Sequence, residues 1–117
     1  MTSYPGYLTS PIGRVYETIN ALGSISGAQN IDFSLGGTMT CTINGATTFS
    51  FANAVSGYNN VLILFITNGS TNVTWPGGIN WGSSGAPTLS ASGVDIFMFT
   101  TLNGGTTVYA SQVLKGG

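Results

Sequence analysis

Two periodicities divide the chain. Over residues 11–22, "PIGRVYETINAL", the apolar residues Ile12, Val15, Tyr16, Ile19 and Leu22 recur at the spacing of one helix face. Ser10 stands where an N-cap belongs, Pro11 at the first helical position and Gly23 as a stop. The pattern predicts a short helix, preceded by an extended arm over residues 1–10. Its apolar stripe needs a surface to pack on, either its own domain or a neighbouring subunit.

From residue 29 the period becomes two. "NIDFSL" sets Ile31, Phe33 and Leu35 on one face, and "TMTCTI" sets Met39, Cys41 and Ile43 opposite a row of threonines. "NGA" at 44–46 reads as a hairpin turn before "TTFSF", with Phe49 and Phe51. "VLILFIT", residues 61–67, is apolar on both faces and reads as a central strand. "NGS" at 68–70 and "NGG" at 103–105 are turn signals, and "TNVTW", "TLS", "GVDIFMFTT" and "TTVYAS" read as further strands. Seven or eight short strands with Gly- and Asn-rich turns predict an all-β domain. The connections look too short for crossover helices, so the expectation is an antiparallel β-sandwich, jelly-roll-like, with the short arm and helix ahead of it. The division expected is 1–28 for arm and helix, as attachment or subunit contact, and 29–117 for the sandwich.

Charge changes the picture. Among 117 residues only Arg14, Lys115, Glu17, Asp32 and Asp95 are charged, 4% of the chain where a quarter is ordinary. Two cations cannot neutralise a run of phosphates, which excludes a nucleic-acid partner of the usual kind and an anionic membrane surface. The longest apolar run, residues 61–66, is too short to span a bilayer. A β chain without charged gatekeepers needs its edges covered, which favours burial in an assembly.

The same scarcity narrows the chemistry. With no histidine and one cysteine, a histidine-based triad, an internal disulfide and a histidine- or cysteine-built metal centre are all excluded. No catalytic, cofactor or metal residue is assigned. Cys41 reads as a buried thiol. Asp32 and Asp95 form a glycosidase-like pair only if the fold brings them together. The simpler reading makes Asp95, inside an apolar strand, a structural pin held by backbone N–H groups of the Gly-rich loop at 77–85. Trp75 and Trp81 flank a glycine-rich turn. They serve either as a glycan platform or as rings closing one end of the sandwich or an interface. Ile12, Val15, Tyr16 and Ile19 are the candidate attachment residues.

The stretch "NVTWPGGINW", followed by "GAPTLSASGVDIFMFTTLNGGTTVYA", resembles a C-terminal β module of tail-fibre and other virion structural proteins of tailed phages. The residues that carry the likeness are Thr74, Trp75, Pro76, Trp81, Ala86, Pro87, Thr88, Leu89, Val94, Asp95 and Ile96, then Gly104, Gly105, Thr106, Thr107 and Tyr109. Val108 stands where that family more often has an aromatic, and Asn103 where it often has a charge. With the upstream strands the likeness covers about residues 29–110. It implies a non-enzymatic virion protein on the outer particle surface, homotrimeric, without cofactor. Its partners would be itself and the major capsid protein or tail proteins. The absence of a shaft ahead of the β region favours a capsid decoration (cement) protein. The alternatives are a short tail-fibre or receptor-binding subunit touching host glycan, and a stand-alone carbohydrate-binding module. An exposed aromatic groove would favour the fibre tip, and an exposed apolar underside would favour decoration.

Overall fold

The computed structural model describes the backbone of residues 7–9 and 15–117, and the side chains from Thr18 onward. The described residues are all β, with no helix among them. A hairpin pairs β1 (Tyr7–Thr9) antiparallel with β2 (Val15–Glu17). Everything else belongs to one seven-stranded sheet: β3 (Ile19–Asp32), β4 (Thr38–Ala52), β5 (Ser56–Thr67), β6 (Val73–Thr74), β7 (Ile79–Asn80), β8 (Val94–Asn103) and β9 (Val108–Leu114). The order is β3-β4-β5-β8-β9-β7, with β6 also on β4.

The helix expected over 11–22 is absent among its described residues, which are strand except for Thr18 between β2 and β3. Val15 and Tyr16 lie in β2, and Ile19–Leu22 open β3. Ile12 lies outside the described residues. The helical pattern was carried by β-branched Ile and Val with Gly13 among them, which form helices weakly. Pairing with β4 supplies a cross-strand ladder that an isolated three-turn helix lacks. The boundary expected after residue 28 falls inside β3.

The sheet is mixed rather than antiparallel. β3 and β4 pair in parallel, as do β4 and β5, β4 and β6, and β7 and β9, while β8 pairs antiparallel with β5 and β9. Parallel neighbours normally need long crossovers, yet only residues 33–37 link Asp32 to Thr38. The strands achieve this by bending. Ile19 sits opposite Thr38 and Asp32 opposite Ala52. A straight 14-residue strand would hold its ends about 43 Å apart, whereas a five-residue link reaches only about 20 Å. β3 therefore curls so that its end returns to its beginning, and Gly36, just past that end, packs so tightly on Thr18 that a Cβ there would collide with the Thr18 carbonyl.

The bend is built from glycine. The β3–β4 register shifts between Ala21 and Ser24 and again between Ile25 and Gly27, and Gly23 and Gly27 have φ of 72° and 74°. Bulges of this kind bend a strand. The "NGA" expected as a turn lies inside β4, opposite the second shift. β4 thus continues from Thr38 to Ala52 as one bent strand. The "NIDFSL" strand stops at Asp32, and "TLS" forms no strand.

Three parallel passes result: β3, then β4, then β5 continued by β6. β5 pairs with Thr38–Thr42 of β4, and β6 with Thr47–Thr48 further along the same edge. β8 and β9 add to β5, and β7 closes onto β9 at Val108 and Tyr109. Because β6 and β7 are consecutive, residues 73–80 join the two ends, and the pairings form a circuit. Its interior holds Ile25, Ile31, Met39, Cys41, Ile43, Phe49, Leu62, Leu64, Ile66, Phe97, Phe99 and Val108.

Candidate functional site

The segment that closes the circuit carries both tryptophans. Trp75 follows β6, and Pro76, Gly77 and Gly78 turn the chain into β7, which leads to Trp81. Gly78 has φ of 83° and lies against the Thr106 carbonyl, while its own carbonyl accepts the Val108 N–H at 2.9 Å. The Trp75 ring stacks on Phe49 at 5.7 Å between centroids and meets Phe97 edge-on at 5.0 Å. Trp81 lies edge-on to Trp75 at 5.4 Å and to Phe97 at 6.0 Å. Both rings are half-buried and pack against the core. Their contacts run inward, to phenylalanines of β4 and β8. They do not form a free-standing aromatic groove.

Asp95, on β8, has no solvent exposure. One carboxylate oxygen accepts the Ser90 N–H at 2.7 Å; the other accepts the Ser90 hydroxyl at 3.0 Å, the Gly116 N–H at 3.0 Å and the Gln112 amide at 3.4 Å. The donors come from residues 90, 112 and 116, not from the loop at 77–85. Beside it, Val94 and Gly117 exchange two backbone hydrogen bonds at 2.8 and 2.9 Å. The carboxylate therefore ties the loop before β8 to the strand end after β9.

Asp32 lies elsewhere, at the end of β3. It accepts the Ser34 hydroxyl at 2.6 Å, the Ser34 N–H at 2.9 Å and the Asn53 amide at 3.0 Å. The Ser34 hydroxyl is the main cause holding its carboxyl below the usual range; slight burial opposes this, and the Ser34 N–H and Asn53 amide reinforce it. Asp32 also borders an open groove of about 390 Å³ between the two limbs of bent β3, with Asn20, Leu22, Gln29 and Asn30. Asp32 and Asp95 share no hydrogen-bond partner, and each is committed to its own turn. No cluster of three or more metal-ligating side chains occurs among the described residues. Cys41 is buried, and burial pushes its thiol up to about 11.

The feature that residue-by-residue reading missed is the outer face of the sheet. Directly paired residues share a face, so the registers set three outward rows. These are Val61–Thr100–Tyr109, Ile63–Met98–Ser111 and Phe65–Ile96–Leu114. Thr38 and Thr40 of β4 extend the second and third rows, and Ile19 of β3 lies beyond Thr38. Leu102 continues the outward series of β8. Met98 is 41% exposed, Tyr109 50% and Leu102 60%. No charged side chain belongs to these rows. At one end a shallow depression of about 280 Å³ runs between Gly23, Thr40, Thr42, Phe65, Thr67 and Val94. The signal was present in the sequence: "VLILFIT" and "VDIFMFTT" are apolar in both phases, so a sheet that buries one phase leaves the other outside. Of the proposed attachment residues, Ile19 reaches this face and is 60% exposed. Val15 and Tyr16 are placed by backbone alone.

Comparison with protein-family models, curated proteins and solved structures found no match.

Proposed function

We propose that this chain is a non-enzymatic structural module of a virion, seated on the outer surface of the particle as a capsid decoration protein. The observation that carries the reading is the uncharged apolar face of β5, β8 and β9, a surface suited to burial against protein. It takes the part that the expected helix was to play, as the underside through which the module attaches. The inward packing of Trp75 and Trp81 supports the same choice, because a glycan platform needs ring faces open to solvent. The resemblance of residues 29–110 to virion β modules supplies the kind of assembly.

A second reading, a short tail-fibre component, is favoured by one feature. β3 pairs with β4 along one edge and leaves its other edge unpaired among the described residues. Stacked parallel passes can be extended at such an edge, as repeat architectures are.

Immunogold labelling of intact particles with antibody to this chain separates the readings. Label over the head supports decoration, and label confined to the tail supports the fibre component. Particles that carry no label would sink both.

A further inference from the structure

We propose that the groove between the two limbs of β3 is a binding site for a small, neutral, polyhydroxylated ligand, an uncharged sugar ring. The inference stands apart from the attachment reading and uses a different surface.

The placement of amides is the first argument. Asn20 pairs with Met39, and Gln29 pairs with Phe49. Directly paired residues share a face, and Met39 and Phe49 are fully buried. Asn20 and Gln29 therefore lie on the core side of the sheet, in the same strand as the core residues Ile25 and Ile31. Asparagine is depleted in strands, and a carboxamide on the core side forgoes apolar burial. Departures of this kind from the pattern of a fold occur at functional or strained sites. Neither residue has a positive φ, so backbone strain does not account for them.

These amides are also uncommitted. Asn20 is half-buried, yet neither it nor Asn30 makes a side-chain hydrogen bond among the described residues. Gln29 makes one, donating to the Ser26 carbonyl at 3.4 Å. By contrast, the Asn60 amide holds both the Val55 N–H and the Val55 carbonyl, and the Asn103 oxygen accepts from Thr101 and Thr107. Amides that no protein group engages are met by water or by ligand groups that replace it.

The lining selects the ligand. A carboxamide both donates and accepts, as a sugar hydroxyl does. Asp32 Oδ2 takes one donor, the Asn53 amide, and has capacity for another. Leu22 and Leu35 border the same groove and offer an apolar strip to the C–H face of a ring. No cationic side chain lines the groove among the described residues, so an anion would find no partner there. A single carboxylate already shared by Ser34 and Asn53 is a poor cation site. The groove's volume of about 390 Å³ falls within the about 300–1,000 Å³ of small-molecule sites. The limbs are set by the bulges at Gly23 and Gly27, so little ordering is needed on binding. With no aromatic ring in the lining, the affinity should be modest.

The test uses the full chain, isotope-labelled, in an NMR titration with glucose, galactose, mannose, rhamnose and N-acetylglucosamine. At least one sugar should shift the side-chain amide signals of Asn20, Gln29 and Asn30 saturably, with a Kd of about 1–10 mM. Asn30→Ala removes an exposed amide and should weaken binding at least about tenfold. Asn72→Ala removes an exposed amide outside the groove and should leave binding unchanged. Asn20→Leu separates a binding role from a structural one. It should abolish binding while raising the melting temperature, because it restores an apolar residue to the core side.

Shifts that stay linear in concentration for every sugar overturn the site. So do shifts confined to the indole signals of Trp75 and Trp81, equal effects of Asn30→Ala and Asn72→Ala, or an Asn20→Leu protein that melts lower than the parent. Saturable shifts of the same amides by inorganic phosphate would overturn the choice of a neutral ligand.

Discussion

Removing the Asp95 carboxylate tests whether one buried charge holds the end of the sheet together. In Asp95→Ala the N–H groups of Ser90 and Gly116 lose their acceptor. A buried donor left without a partner costs about 1–3 kcal/mol. Two such donors bring the loss to about 4 kcal/mol, and relief from desolvating the carboxylate returns part of it. A net loss of about 3 kcal/mol is a large share of the ~5–15 kcal/mol that holds a domain folded. At about 4 °C per kcal/mol for a chain of this size, the melting temperature should fall by about 12 °C. Asp95→Asn keeps one carbonyl oxygen for one of the two N–H groups, so its loss should be about half as great. Scanning calorimetry on the three proteins gives the ranking. Amide exchange gives the location: Val94 and Gly117, whose mutual hydrogen bonds lie beside Asp95, should lose protection before the β5–β8 ladder does. Melting temperatures within about 2 °C of the parent for both variants, or an alanine variant more stable than the asparagine one, would refute the argument.

Three further outcomes follow from the geometry. Gly36→Ala should lower the urea midpoint by the equivalent of about 2–4 kcal/mol, because Gly36 has φ of 121° and its Cβ would meet the Thr18 carbonyl; an unchanged midpoint would mean that the β3–β4 link is not held where it is. Asp32 has its folded pKa depressed below the ordinary carboxylate value, so its contribution to stability is present above that ordinary value and is lost as pH falls through the lower folded one. Urea midpoints taken from pH 5 down to pH 2 should therefore drop, and Asp32→Asn should flatten part of that drop; identical profiles would exclude the role. Cys41, buried and with its thiol raised to about 11, should resist a thiol reagent at pH 8 in the native protein and react at once in urea; rapid native reaction would place it at the surface.

The β character was legible because alternation is a local property. Met39, Cys41 and Ile43 of β4, and Phe97 and Phe99 of β8, face the core as their spacing required. Direction and connection were not legible. The hairpin read at "NGA" rests on a sound rule, but Gly45 lies where the β3–β4 register shifts, close to Ser26 across the pair, and the chain continues as strand. Nothing local distinguishes a glycine that reverses a chain from one that bends it by a bulge. The helix failed for a similar reason. Ile19 and Leu22 fit a helical stripe as well as a strand with a bulge at Gly23, and only β4, brought alongside by a link of five residues, decides between them. At Asp95 the sequence indicated a buried carboxylate in need of donors. It did not indicate that Ser90 and Gly116 would supply them, since the latter lies 21 residues away.

The bend also bears on how a chain with five charges keeps its edge strand from pairing without limit. β3 runs from Ile19 to Asp32 with no proline and no lysine, and its only charge is at the last position. Such a strand, if flat, would template the addition of others. Its register shifts at Gly23 and Gly27 break the edge into two short limbs that curl toward each other, so an incoming straight strand can follow only one limb at a time. The bend therefore leaves the edge open only to a strand bent in the same way, as β4 is. The same economy explains the outer face: without charges to keep β5, β8 and β9 hydrated, only side-chain size and a neighbouring protein surface remain to define what the sheet may touch. A curled edge that limits pairing and an apolar face that invites packing direct association to the face.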